Sequence, residues 1–239
     1  MATFTATFER VEKKYLLTQQ QSTAFSAAIA GRMAVDRYGE HTIENIYYDT
    51  PSYDLIRASL DKPAYKEKLR VRSYGVPKRD DPVFVELKKK VDGVVYKRRT
   101  AMPLCDASRF LCGGRRPQSA DGQICNELRY ALNFYGAQPM VFVAYDRVAM
   151  AGLDDAEFRL TLDKGVRYRT DDLDLSRGSY GKLLLPQGTA LLEVKTVGAL
   201  PLWFARILSG LCIYPVTFSK YGEAYRDMLR QTKEGALVA

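Results

Sequence analysis

Histidine is nearly absent: the 239-residue chain carries one, His41. That excludes a multi-histidine metal centre, and a Ser-His-Asp or Cys-His mechanism would have to run through it. Cysteine is sparse as well. Cys105, Cys112, Cys125 and Cys212 form no C-x-x-C pair, so neither a zinc ribbon nor a thioredoxin-like site is indicated and free thiols are expected. The first residues show no signal-peptide pattern, which points to a reducing, cytoplasmic compartment. Long apolar runs are missing too. The nearest approach, residues 198–218, holds Arg206 near its centre between Pro201 and Pro215. A mid-bilayer Arg costs at least about 2.5 kcal/mol, so a buried amphipathic helix is expected there and no transmembrane segment. Standard phosphate signatures also fail. There is no G-x-G-x-x-G, and Gly178 to Lys182 imitates the end of a P-loop but runs on into Leu183, where Ser or Thr is needed.

What remains is an ordinary globular composition, 46% hydrophobic and 27% charged, with one unusual figure: a net charge of +8. An excess of that size points to an anionic partner. Period-2 alternation dominates the chain and predicts strands at 4–17, 43–49, 65–74, 83–90, 94–102, 140–150, 157–169 and 189–196. Helical patterns are predicted at 19–32, 125–135, 201–211 and 220–233, the first stopped by Gly31. Asp92-Gly93 marks a two-residue hairpin turn, Asp154-Asp155 suggests another, and 170–188 reads as a long loop. No linker or internal repeat divides the chain. A single antiparallel α+β domain over residues 1–239 is expected, in the form of a closed barrel with flanking helices.

The strands carry the chemistry. Residues two apart share a face, so Tyr65 to Tyr74 puts Lys66, Lys68, Arg70 and Arg72 in one row. Like charges about 6.6–6.8 Å apart repel one another, and for a single strand a solvated face is explanation enough. The pattern recurs, however. Arg10, Glu12 and Lys14 share a row, as do Glu86, Lys88 and Lys90, Tyr145 and Arg147, then Glu157, Arg159, Thr161 and Asp163. Glu193 and Lys195 share one inside an otherwise apolar strand. Basic rows seeded with few carboxylates suit a shared interior that holds a multiply charged anion. Mixed Arg and Lys fit a nucleoside triphosphate or polyphosphate, and the carboxylates fit a divalent ion bridging phosphate oxygens. Duplex nucleic acid is not expected in such an interior. His41 is expected to have a surface role.

The segments FERVEKKY, IYYDTPSYDLIRASLDKPAYKEKLRVRSYG, VFVELKKK, LLEVKT and FSKYGEAY together resemble the VTC domain. This is the polyphosphate polymerase module of the triphosphate tunnel metalloenzyme superfamily, to which the CYTH proteins also belong. The resemblance implies a closed antiparallel β-tunnel with helices around it, the terminal one, at about 219–233, closing one end. It implies transfer of the γ-phosphate of ATP to polyphosphate with Mn²⁺ or Mg²⁺, on ATP or another nucleoside triphosphate, polyphosphate, triphosphate or pyrophosphate. By position it assigns Lys14, Arg70, Arg72, Lys88, Arg147, Arg159 and Lys220 to catalysis and phosphate binding, with Ser219 as a further phosphate ligand; Lys68 and Lys195, which share the rows of Arg70 and Glu193, are expected to bind phosphate as well. Glu193 becomes the metal-binding glutamate, with Glu12 as a second ligand. The wider superfamily opens with E-x-E-x-K where this chain has Arg10-Val11-Glu12-Lys13-Lys14, which is VTC-like and argues against simple CYTH triphosphatase or cyclase activity. A tunnel triphosphatase or polyphosphatase, a non-catalytic polyphosphate-binding module and a single-strand nucleic-acid binder stay open as alternatives, as does a membrane partner of unknown identity.

Overall fold

The computed structural model describes residues 10–238 apart from 93 and 119; residues 4–9 of the first predicted strand lie outside these. Strands are β1 (Arg10–Leu17), β2 (Met33–Asp49), β3 (Tyr65–Tyr74), β4 (Pro82–Val91), β5 (Val94–Pro103), β6 (Gln138–Gly152), β7 (Arg159–Arg169), β8 (Lys182–Leu183) and β9 (Ala190–Val197). Helices are α1 (Gln19–Ala28), α2 (Asp54–Leu60), α3 (Leu104–Leu111), α4 (Gly122–Tyr135), α5 (Leu202–Gly210) and α6 (Lys220–Val238). This is a sheet-dominated antiparallel α+β fold. Hydrogen-bonded strand order is β1-β9-β7-β6-β2-β3-β4-β5, with β8 beside β7.

The expected closed barrel does not appear as a ring of ladders, because that path has two ends among the described residues. At one end the free edge of β1 is occupied by irregular chain: Tyr15 bridges Pro215, and the Val216 amide donates to the Lys14 carbonyl. At the other, β5 runs directly into α3 after Pro103.

The chain separates into two compact units. One comprises the described residues up to His41 with Asp146–Gly165 and Leu185–Phe218. In it β9 lies between β1 and β7, and alternate residues of these strands (Tyr15, Leu17, Leu160, Leu162, Leu192, Val194) pack on Phe25 of α1 and on Phe204 and Leu208 of α5. Period-2 alternation thus gives a sheet with one apolar face and one charged face. Thr18 caps α1 in a reciprocal capping box with Gln21.

The other unit comprises the described residues of Thr42–Tyr145 and Val166–Leu184 and those from Ser219 onward. Leu69, Val71, Val85 and Leu87 of β3 and β4 pack with Phe110 of α3 and with Leu128 and Leu132 of α4. The β4–β5 hairpin sets Val91 opposite Val94, with Asp92 at φ +45; Gly93, the second residue of the predicted turn, lies outside the described residues. In the 170–188 loop, Arg169 donates to the carbonyls of Asp172, Asp174, Gly178 and Tyr180. Lys182, the P-loop mimic, pairs instead with Asp227 at 2.7 Å. The four cysteines are free thiols. No helix among the described residues is long and apolar enough to cross a membrane.

Candidate functional site

The charged face of the second unit is set by register. Tyr47 lies opposite Arg70, Arg70 opposite Glu86, and Glu86 opposite Arg99. The next row is Lys68, Lys88 and Lys97, and beyond it Lys66 faces Lys90. With Arg72 included, eight basic side chains of β3, β4 and β5 share this face with a single carboxylate, Glu86. Sequence alternation within each strand gives the β3 and β4 members; it misses Lys97 and Arg99, because which residues of β5 join them depends on the hairpin register.

Glu86 is buried, and it is the counter-charge of the cluster. Its Oε2 accepts from Arg70 Nε at 2.8 Å and lies 2.7 Å from Nη2, while Lys97 Nζ is 2.8 Å from Oε1. The Lys97 contact is an ion pair without the alignment of a hydrogen bond. Burial alone would raise the Glu86 pKa, but Arg70, Arg72 and Lys97 outweigh it and hold it at about 2. Burial, reinforced by Arg70 and Arg72, pushes the Lys97 ammonium below its usual value against the pull of Glu86.

Both arginines are oriented by neutral groups as well. Arg70 Nη1 donates to the Tyr47 hydroxyl at 3.2 Å; Arg72 donates to Asn45 Oδ1 at 2.9 Å and to the Tyr145 hydroxyl at 3.2 Å. Arg72 is buried, with its guanidinium hydrogen-bonded to these two neutral groups. At the start of α6, Ser219 acts as the cap: its Oγ accepts from the Gly222 amide at 3.3 Å and from Lys68 Nζ at 3.1 Å. Lys220, also buried, places Nζ 4.4 Å from the Tyr145 ring centroid.

In the first unit a second charged face is built the same way. Lys14 and Thr161 flank Glu193, while Glu12 and Arg159 flank Lys195. Lys14 Nζ lies 3.4 Å from carboxylate oxygens of both Glu12 and Glu193 and donates to the Phe218 carbonyl at 3.0 Å. Arg147 is gripped bidentately by the fully buried Asp163, at 2.6 and 2.7 Å, and donates to Glu193 Oε2 at 3.1 Å. Arg159 lies at the edge of this face. It stands half-exposed at the start of β7, 3.6 Å from Glu157 and donating to the Ala156 carbonyl, outside the Arg147 cluster. Asp163 shares the Arg159 row in the sequence; its grip on Arg147, a residue from another strand, could be found only in three dimensions.

The VTC domain family model matches residues 9–229. The chain belongs to the VTC domain family. No curated protein matches it in sequence. Among solved structures, an adenylate cyclase candidate from Bacillus halodurans has a TM-score of 0.53 at 15% identity, over 88% of this chain and 93% of that one. This likeness shows a shared fold. A protein of Pyrococcus horikoshii (TM-score 0.47, 14% identity, 92% and 99% covered) and an adenylyl cyclase candidate from Hippeastrum whose dominant activity is triphosphatase (0.48, 15%, 89% and 93%) are more distant.

In this VTC-family chain the carboxylates Glu193 and Glu12 converge on one cationic centre, the Lys14 ammonium. Thr161, opposite Glu193, carries a buried hydroxyl with no hydrogen-bond partner. These hard oxygen donors fit Mg²⁺ or Mn²⁺. No cluster of three or more His, Cys, Asp or Glu occurs among the described residues, so phosphate oxygens would have to complete the coordination.

Proposed function

We propose that this VTC-family chain is a metal-dependent phosphotransferase that moves the γ-phosphate of ATP onto a polyphosphate chain. The observation that carries this reading is the face shared by β3, β4 and β5, with eight cations against one carboxylate. Such a face suits a multiply charged anion, since like charges at this spacing repel one another and one carboxylate does not balance them.

The roles follow from chemistry. Arg70 and Arg72 present planar forks to phosphate oxygens, while Lys68, Lys88 and Lys220 act as point charges. Lys14, Arg147, Arg159 and Lys195 are the phosphate ligands of the other charged face, and Ser219 offers the first turn of α6. In the transfer, a terminal oxygen of the acceptor chain forms a bond to the γ-phosphorus. The bond from that phosphorus to the β–γ bridging oxygen breaks, and ADP leaves with the electron pair. The nucleophile is already anionic, so no general base is needed, in keeping with a chain of one histidine. What the protein supplies is positioning and relief of repulsion between two polyanions. Glu193, with Glu12, would hold Mg²⁺ or Mn²⁺, which when bound polarises the phosphate oxygens.

Arg72→Ala is expected to weaken binding of inorganic tripolyphosphate about tenfold, or about 1.4 kcal/mol, by isothermal titration. Unchanged affinity would mean that this face does not bind the anion. The function itself is tested by product analysis with ATP and Mn²⁺. ADP without matching orthophosphate supports transfer, whereas orthophosphate in equal amount marks a triphosphatase. Pyrophosphate marks a cyclase, and intact ATP marks a binding module.

A further inference from the structure

Asp49, from the YYDTP segment, has no part in the phosphate chemistry above, yet it is completely buried and makes four hydrogen bonds. Its Oδ1 accepts from the amides of Thr50 and Leu55 at 2.8 Å, and its Oδ2 from the Ile56 amide at 3.0 Å. The Leu55 and Ile56 amides belong to the first turn of α2, whose entry residue Tyr53 is in the left-handed region at φ +62. The fourth comes from α6: the buried Tyr221 hydroxyl donates to Oδ2 at 2.8 Å. Three amides already satisfy the carboxylate, so capping α2 does not require the phenol. A phenylalanine would fill the same space, and the hydroxyl therefore serves to orient α6.

What it orients stands on either side of it. Ser219 and Lys220 immediately precede Tyr221, with Ser219 accepting from Lys68 and Lys220 lying over Tyr145, whose hydroxyl holds Arg72. The Tyr221 ring stacks on Tyr47 at 4.6 Å and 16°, and the Tyr47 hydroxyl accepts from Arg70. Close approach of α6 to α2 depends on Gly222, where an added Cβ would come within 3.0 Å of Leu60 and 3.2 Å of Ser219. We propose that Tyr221 and Asp49 are positioning residues whose hydrogen bond sets the first turn of α6, so that Ser219 and Lys220 stand in register with the basic row of β3. This rests on the reading that Lys220 and that row bind phosphate.

The test is a double-mutant cycle on the full chain, read by titration with inorganic tripolyphosphate, with thermal unfolding as a check of folding. Loss of one hydrogen bond is expected to make Tyr221→Phe bind about fivefold more weakly, and Lys220→Met about tenfold. Because Tyr221 acts through Lys220, the double variant should be about tenfold weaker rather than about fiftyfold. A merely structural tyrosine would not produce that coupling. Asp49→Asn, which keeps one acceptor oxygen for α2, is expected to couple to Lys220→Met in the same way. Wild-type binding by Tyr221→Phe, or effects that multiply, would overturn the inference while leaving the phosphate reading intact. Wild-type binding by Lys220→Met would overturn the phosphate role of Lys220 itself.

Discussion

Glu193→Gln is expected to lower Mn²⁺-dependent turnover by at least about a hundredfold while binding of tripolyphosphate is retained or strengthened. The substitution keeps shape and removes one negative charge together with one acceptor oxygen. Glu193 is buried in β9 between the apolar Leu192 and Val194, with its carboxylate between Lys14 and Arg147. As a simple counter-charge, its neutralisation would leave two cations more available to phosphate and turnover little altered. As the group that holds the divalent ion, its loss separates binding from catalysis. Titration with Mn²⁺ in the presence of tripolyphosphate distinguishes the two, since only the second reading has metal affinity fall with turnover. Near-normal turnover with an unchanged metal requirement would reduce Glu193 to a counter-charge.

The second large effect concerns stability. Glu86→Gln is expected to destabilise the protein by about 3 kcal/mol at neutral pH, because it leaves Arg70, Lys97 and Arg99 facing one another around a buried neutral amide. The pH dependence follows from the sign of the shift. The folded pKa of Glu86, about 2, lies below the ordinary 4.5 of a free glutamate, so the folded state holds fewer protons. The stabilisation is present in full above the unfolded value and is lost as pH falls from there through about 2. A shift of that size corresponds to about 3 kcal/mol. Denaturant unfolding of wild type and variant across this range should therefore show a gap at pH 7 that closes toward pH 2. A gap independent of pH would refer the effect to packing. Tripolyphosphate should raise the Tm of the variant more than that of wild type, since it resupplies the missing negative charge.

Alternation alone located most strands and the basic rows, because each of these strands lies between an apolar face and a charged one. It failed where that contrast is missing. Residues 33–42 extend β2 well before the predicted start at 43, but Asp36, Arg37 and Glu40 are interspersed along a largely exposed stretch. Helix α2 went unpredicted, since its cap is the side chain of Asp49, five residues before the helix begins. Helix α3 is eight residues long and follows β5 directly, too short for a helical period to stand out in the sequence. Strand β7 starts at Arg159 rather than 157, because Glu157 donates its amide to the Asp155 side chain in the preceding turn. At the charged faces, residue types and rows were legible and partners were not. Arg70 with Glu86, Arg147 with Asp163 and Tyr221 with Asp49 join residues from different elements, and no spacing along one strand encodes them.

The most direct measurement follows the γ-phosphate itself. Wild-type protein is incubated with Mn²⁺, a short polyphosphate primer and ATP radiolabelled in its γ-phosphate, and the products are resolved on a gel. The expected result is label in polyphosphate chains longer than the primer, with ADP formed in equal amount, and no such label with Glu193→Gln. Label found only as orthophosphate would contradict transfer to a phosphate acceptor and make the protein a hydrolase.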